Sequence, residues 1–212
     1  MPTQVKICGI TGAEALAAVQ AVGADACGFV FYADSPRALT PEQAAPLAAL
    51  ALTLLKVGVF VDADDALLRA AVAAGQLGAL QLQGAETPQR VAQVQAEFGL
   101  PVWRAVGVRT RADVDAAVAD YAMADLLLFD ARPTEAGDRP GGNGLSFDWR
   151  ILRGAALPPV WGLAGGLDAE NVAAAIRLTG APLVDVSSGV ESAPGRKDVA
   201  KIVNFVEAAR RV

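Results

Sequence analysis

The chain has 212 residues, 53% hydrophobic, 19% charged and 6% aromatic, with 18 Lys and Arg against 23 Asp and Glu for a formal net charge of −5. That composition excludes a disordered chain. The acidic balance argues against sequence-independent nucleic-acid binding, which rests on neutralising many phosphates, and against coating an anionic membrane. There is no histidine, so histidine bases and histidine metal ligands are ruled out, and the two cysteines, Cys8 and Cys27, are too few for a disulfide framework or a four-cysteine zinc site. The opening MPTQVKICGI lacks the cationic segment and long apolar run of a secretory signal. No stretch approaches the roughly 20 uninterrupted apolar residues of a membrane span. The expectation is a soluble, cytoplasmic protein without nucleic-acid, membrane or metal partners.

In chain order, short apolar runs alternate with alanine-rich segments of helical period. A strand over Val5–Ile10 precedes a helix over Glu14–Val22. A strand over Ala26–Tyr32 precedes a helix through Leu52, opened by Thr40 as N-cap and Pro41 at the first helical position. Leu54–Val61 reads as a buried strand and Asp62–Ala74 as a helix ending before Gly75. Ala79–Gln83 is followed by a helix from Thr87-Pro88 to Phe98, stopped by Gly99. Pro101–Val108 leads to Arg111–Ala122, and Leu126–Asp130 to a helix over Asp148–Arg153 before Gly154. Val160–Ala164 leads to Asp168–Thr179 before Gly180, and Leu183–Ser187 to the closing helix Asp198–Val212.

The strands are apolar nearly throughout, as parallel strands covered on both faces are. Eight strand–helix units of about 26 residues each leave room for a parallel crossover in every unit. Such units close into a single (β/α)8 TIM barrel of eight parallel strands, here one catalytic domain over 1–212. The competing open, doubly wound sheet usually carries G-x-G-x-x-G after its first strand. The first turn here, Cys8-Gly9-Ile10-Thr11-Gly12, does not.

Barrel chemistry sits at the C-terminal strand ends. Cys8 ends strand one, and period two puts Lys6 on the same side of that strand. A nearby ammonium would favour the thiolate; Lys6 can also pair with Asp185 inside the barrel. Cys27 reads as a small inert hydrophobe. Asp130 caps four apolar residues, and a carboxyl in such a place tends to a raised pKa suited to a general acid. Asp34 and Asp62 read as solvated loop residues. Gly165-Gly166 after strand seven and Ser187-Ser188-Gly189 after strand eight together form a phosphate-binding pattern, with glycines for close backbone approach and hydroxyls and amides for the anion.

The ordered set Val5-Lys6-Ile7-Cys8-Gly9-Ile10-Thr11, Ser35-Pro36-Arg37, Leu80-Gln81-Leu82-Gln83-Gly84, Leu128-Phe129-Asp130, Gly141-Gly142-Asn143-Gly144, Leu163-Ala164-Gly165-Gly166 and Asp185-Val186-Ser187-Ser188-Gly189-Val190-Glu191 with Gly195, Lys197 and Asp198 resembles the phosphoribosylanthranilate isomerase family over essentially the whole chain. The resemblance implies a cofactor-free isomerase of L-tryptophan biosynthesis, monomeric or homodimeric. Its substrate would be a small phosphorylated sugar–anthranilate, N-(5-phosphoribosyl)anthranilate, rearranged by an Amadori reaction. It further implies Cys8 as general base, Asp130 as general acid and Arg37 on the anthranilate carboxylate. Gln83, Gly142, Asn143, Gly165, Gly166, Asp185, Ser187, Ser188 and Gly189 would complete the substrate site.

Two positions depart from the family pattern. Gln83 stands where histidine is common, and Asn143 where threonine is. Gln83 keeps hydrogen-bonding capacity but carries no charge. Two alternatives stand beside this reading: a related sugar-phosphate isomerase of histidine biosynthesis, disfavoured because that relative has aspartate where Cys8 stands, and a non-catalytic phosphate-binding barrel, disfavoured by the presence of Cys8, Asp130 and Arg37.

Overall fold

Eight parallel strands close into a barrel in the computed structural model, which describes residues 2–132, 141 and 144–212. The strands are β1 (Gln4–Cys8), β2 (Ala26–Val30), β3 (Leu55–Phe60), β4 (Ala79–Leu82), β5 (Val102–Val108), β6 (Leu126–Ala131), β7 (Trp161–Leu163) and β8 (Leu183–Val186). Each pairs with the next in parallel, and β1 closes the ring on β8 with Lys6 opposite Asp185. The helices are α1 (Ala13–Ala21), α2 (Pro41–Leu50), α3 (Asp65–Gly75), α4 (Pro88–Phe98), α5 (Arg111–Asp120), α6 (Val172–Thr179) and α7 (Val199–Arg210). None among the described residues is long and apolar enough to cross a membrane.

Local chemistry sets most boundaries. Thr40 closes a capping box with Gln43 ahead of Pro41, and Thr87 accepts from the Arg90 amide ahead of Pro88. Gly99 ends α4 in the left-handed conformation.

Three expectations need correction. The segment Asp148–Arg153 forms only a 3-10 turn over Trp149–Leu152; so short a segment cannot repay the nucleation of an α-helix. Gly75 lies inside α3, and Gln76 takes the left-handed cap at φ 46°. A Cβ on Gly75 would stand 2.8 Å from Leu77, so close packing and not the helix stop requires that glycine. After β8 the chain makes a 3-10 turn (Ser188–Val190) and then a hairpin of β9 (Glu191–Ala193) and β10 (Arg196–Lys197), where the sequence reading placed only a loop.

Alternation along the strands divides the core in two. Val5, Ile7, Phe29, Phe60, Leu80, Leu127 and Phe129 face the helices. Ala26, Val57, Ala79, Trp103, Leu128 and Leu183 fill the barrel interior. On four strands the next interior positions are polar or ionisable, Lys6 and Cys8 on β1, Gln81 on β4, Asp130 on β6 and Asp185 on β8, while Val59 on β3 and Ala105 on β5 stay apolar. The floor of the site is therefore the top of the interior packing, carried by strands, and the loops after β2, β7 and β8 complete its rim.

One buried charge on the helix side is structural. Arg104 of β5 donates to Glu86 at 3.1 Å and to the carbonyls of Leu82 and Gly84 at 2.9 Å each, with Tyr121 4.8 Å from its guanidinium carbon. Asp62 is exposed in the loop after β3, as expected, where it accepts from the Ala85 amide at 2.7 Å while its own amide donates to Glu86. Glu86→Ala strands the buried guanidinium and is expected to lower stability by about 3 kcal/mol, read as a fall in the urea midpoint with an unchanged m-value.

Candidate active site

An open cavity of about 840 Å³ occupies the C-terminal mouth of the barrel, with Cys8, Arg37, Gln83, Asp130, Asp185 and Ser188 in its wall. Gly165, Gly166 and Ser187 also line it, so nine of the expected site residues converge there. Gly142 and Asn143 lie outside the described residues. Their neighbours Gly141 and Gly144 line the same cavity.

The β1 wall begins with Lys6, which is fully buried. Its ammonium donates to Asp185 Oδ2 at 2.8 Å and to Gln81 Oε1 at 2.9 Å. Burial opposes that charge, but Asp185 and Cys8 outweigh it and raise the Lys6 pKa. Two residues on, Cys8 faces the cavity. Space for both side chains comes from Gly28, opposite Cys8 on β2, where a Cβ would lie 2.8 Å from the Cys8 sulfur and 3.3 Å from Lys6 Cε. The expectation that Lys6 would depress the thiol pKa fails on balance. Burial pushes the Cys8 thiol up, Lys6 pulls it down, Asp185 pushes it up again, and the net direction is upward. Lys6 is present as expected, but its charge is largely spent on Asp185.

Asp130 ends β6 on the far side of the ring. Its Oδ1 accepts from the Ala131 amide at 2.8 Å and its Oδ2 from Gln83 Nε2 at 3.1 Å. Burial dominates these bonds and raises its pKa to about 6. Gly141 closes over this corner, where a Cβ would collide with the Gln83 amide and stand 2.8 Å from Asp130 Oδ2. The carboxyl is thus a buried weak acid beside an open cavity, as its position after four apolar residues suggested.

Arg37 is held by a partner that sequence reasoning did not assign. Its Nε and Nη2 bind Glu191 Oε1 and Oε2 at 2.7 and 2.8 Å, a bidentate buried pair. Glu191 also accepts from Lys197 Nζ at 2.8 Å. Burial disfavours the Glu191 carboxylate, yet the two cations hold its pKa below the ordinary value. Lys197 further donates to the Ser187 carbonyl at 2.9 Å and hydroxyl at 3.2 Å. The β9–β10 hairpin places Glu191 and Lys197 on either side of the Pro194-Gly195 turn, and so carries the group that orients Arg37. Glu191 and Lys197 stand in the recognised motif; only the hairpin shows what they touch.

At the β7–β8 end, Gly165 and Gly166 are consecutive left-handed residues at φ 85° and 63°, a conformation that L side chains rarely adopt. A Cβ on Gly165 would also stand 2.7 Å from the Ala131 nitrogen. Gly189 is not in the cavity wall; a Cβ there would strike the Leu167 carbonyl, so it lets the two loops touch instead of lining the site. The Ser187 hydroxyl donates to the Cys8 carbonyl at 3.1 Å, tying the end of β1 to the β8 loop. Among the described residues, Asp185 Oδ1 is buried in this wall without a hydrogen-bond partner, and no group of three or more metal-ligating side chains is placed to hold an ion.

A family model described as N-(5′-phosphoribosyl)anthranilate (PRA) isomerase matches residues 5–208. An N-(5′-phosphoribosyl)anthranilate isomerase of Paracoccus denitrificans is 56% identical over 211 residues, covering 99% of this chain and 98% of that one. The solved phosphoribosyl anthranilate isomerase of Thermotoga maritima superposes with a TM-score of 0.88 at 36% identity, covering 99% of this chain and all of that one. Another solved phosphoribosyl anthranilate isomerase, in complex with reduced 1-(o-carboxyphenylamino)-1-deoxyribulose 5-phosphate, superposes at 0.86 with 35% identity over 99% of this chain and 100% of that one. By full-length sequence match, closed barrel and cavity together, the chain belongs to the N-(5′-phosphoribosyl)anthranilate isomerase family.

Proposed function

We propose that this chain rearranges N-(5-phosphoribosyl)anthranilate to 1-(2-carboxyphenylamino)-1-deoxyribulose 5-phosphate, as a single catalytic barrel acting in the cytoplasm on a small-molecule substrate in tryptophan synthesis. The observation that carries the reading is a buried carboxyl of raised pKa, Asp130 on β6, sharing one cavity with a thiol, Cys8 on β1. An Amadori rearrangement needs one proton donor and one acceptor at different atoms of one sugar.

Asp130 gives its proton to the ring oxygen. The C1′–O bond breaks as the anilino nitrogen lone pair forms the iminium. The Cys8 thiolate takes the proton from C2′, and those electrons neutralise the iminium to give an enolamine. The enol then gives its hydroxyl proton to the Asp130 carboxylate as C1′ takes the proton held by Cys8, leaving the ketone and restoring both side chains. Atoms and electrons balance within the substrate, and no cofactor enters.

The remaining groups bind and orient. Asp185 Oδ1, buried and unpartnered, suits a sugar hydroxyl as donor, because an orphaned buried acceptor gains most from being satisfied. The Gly165-Gly166 backbone and Ser188 suit the phosphate. Arg37, fixed by Glu191, suits the anthranilate carboxylate with its planar guanidinium.

Cys8→Ser and Asp130→Asn are each expected to lower kcat by about 10²-fold or more with folding retained, followed by the fluorescence of the anthranilate substrate; turnover near the parent rate removes the corresponding role. The pKa order makes the active pair, carboxylic acid with thiolate, the minority form. Below about pH 6 Asp130 is protonated and kcat/KM rises with the thiolate fraction. Above it, loss of the acid cancels further gain of thiolate, so the profile levels near pH 6 and falls only above the Cys8 pKa. A kcat/KM profile with no break near pH 6 contradicts the assignment. Arg37→Ala is expected to raise KM several-fold and also to lower the thermal midpoint, because Glu191 then loses one of its two buried cations.

A further inference from the structure

We propose that Gln81 and Gln83 form a one-way hydrogen-bond chain from Lys6 to Asp130 whose polarity keeps the acid's proton aimed into the cavity. This rests on Asp130 as the acid and extends that reading to two positioning residues. Lys6 Nζ donates to Gln81 Oε1 at 2.9 Å, Gln81 Nε2 donates to Gln83 Oε1 at 2.7 Å, and Gln83 Nε2 donates to Asp130 Oδ2 at 3.1 Å. Four side chains on β1, the end of β4 and β6 thereby span the interior of the barrel.

The direction follows from Lys6. An ammonium has three donors and no acceptor, so the Gln81 oxygen must face it. The Gln81 amide nitrogen is then the group left for Gln83, whose oxygen must accept. Gln83 can therefore present only its NH2 to Asp130. Turning either amide over would set NH2 against NH2 or against the ammonium, leaving buried donors unsatisfied at a cost of about 1–3 kcal/mol each. Oδ1 of Asp130 is meanwhile held by the Ala131 amide, another donor. Both carboxyl oxygens thus meet donors, and the proton of the neutral acid finds no acceptor among these neighbours. Its outlet is the cavity, where the substrate sits.

The chain also opposes burial. A donor on Oδ2 favours the carboxylate, so Gln83 restrains a carboxyl that burial drives upward. The charged groups acting on Asp130 are Asp185 on β8 and Lys6 on β1, and Cys8 on β1 with Tyr32 and Arg37 from the loop after β2 line the same cavity. The flanking strands bring glycines to it, Gly107 on β5 and Gly165 after β7. Without the lock from Gln81, Gln83 can turn its oxygen to a protonated Asp130, which stabilises the neutral acid and directs its proton away from the substrate.

The test is a carboxyl ¹³C NMR titration of the full chain labelled at aspartate, with the Asp130 signal assigned by its loss in Asp130→Asn, alongside kcat/KM profiles. Gln81→Met keeps the volume and removes the link; Gln83→Met removes the terminal donor and serves where the first variant folds poorly. In both, the Asp130 midpoint is expected to rise by about 1 pH unit, a tenfold shift in the protonation equilibrium. The break in kcat/KM should move up with it. An Asp130 midpoint that stays at the parent value in a folded variant overturns the chain. If Asp130→Asn instead keeps its turnover, the acid role falls, and the titration still decides whether the chain sets the state of the carboxyl.

Discussion

The ammonium of Lys6 sits fully buried inside a barrel otherwise packed with Val, Leu, Ala and Trp. A charge in such surroundings is tolerated only when it is paired and its remaining donors are satisfied. Asp185 is its registered neighbour on the closing strand pair and supplies the countercharge. Gln81, from across the interior, supplies an acceptor. Satisfying that one cation therefore places a carboxylate in the cavity wall and commits the amide of Gln81 to a single orientation. The electrostatics of the barrel mouth follow from this arrangement.

One consequence concerns Cys8. With the Lys6 charge compensated by Asp185, burial governs the thiol and its pKa rises. Asp130 rises too, but remains a carboxyl titrating near 6. The proposed base is thus the weaker acid of the pair. Such a site holds its active protonation state as a small fraction of the enzyme, offset by the intrinsic strength of both groups in that state: a basic thiolate and a comparatively strong carboxylic acid. The β1 and β6 positions keep the two groups apart in the ring while both open on one cavity.

A second buried cluster organises the rim. Glu191 gathers Arg37 and Lys197, and Lys197 reaches back to Ser187, whose hydroxyl holds the Cys8 carbonyl. A short hairpin after β8 therefore braces the loop after β2 and the end of β1. Removing either cation leaves Glu191 under-compensated, so the group proposed to bind the anthranilate carboxylate also supports the fold at this rim. Arg37 gains rigidity from the same pair that restrains it.

Much of this was legible from residue order. Apolar runs at regular spacing set the eight strands, Thr-Pro pairs set two helix starts, and a carboxylate after Leu126–Phe129 marked Asp130, because these signals depend on neighbours along the chain. Period two placed Lys6 beside Cys8. The failures have two causes: some outcomes turned on atoms that meet only in the fold, others on segments too short to carry a signal. Gly75 reads as a helix stop until Leu77 is seen packed against it. The hairpin of Glu191 and Lys197 has no periodic signal over so few residues. The thiol pKa could not be read from Lys6 alone, because burial and Asp185 oppose it. Sequence determined the barrel and the strand ends and singled out the proposed reacting groups; tertiary structure decided which charges meet, and hence which way the hydrogen bonds run.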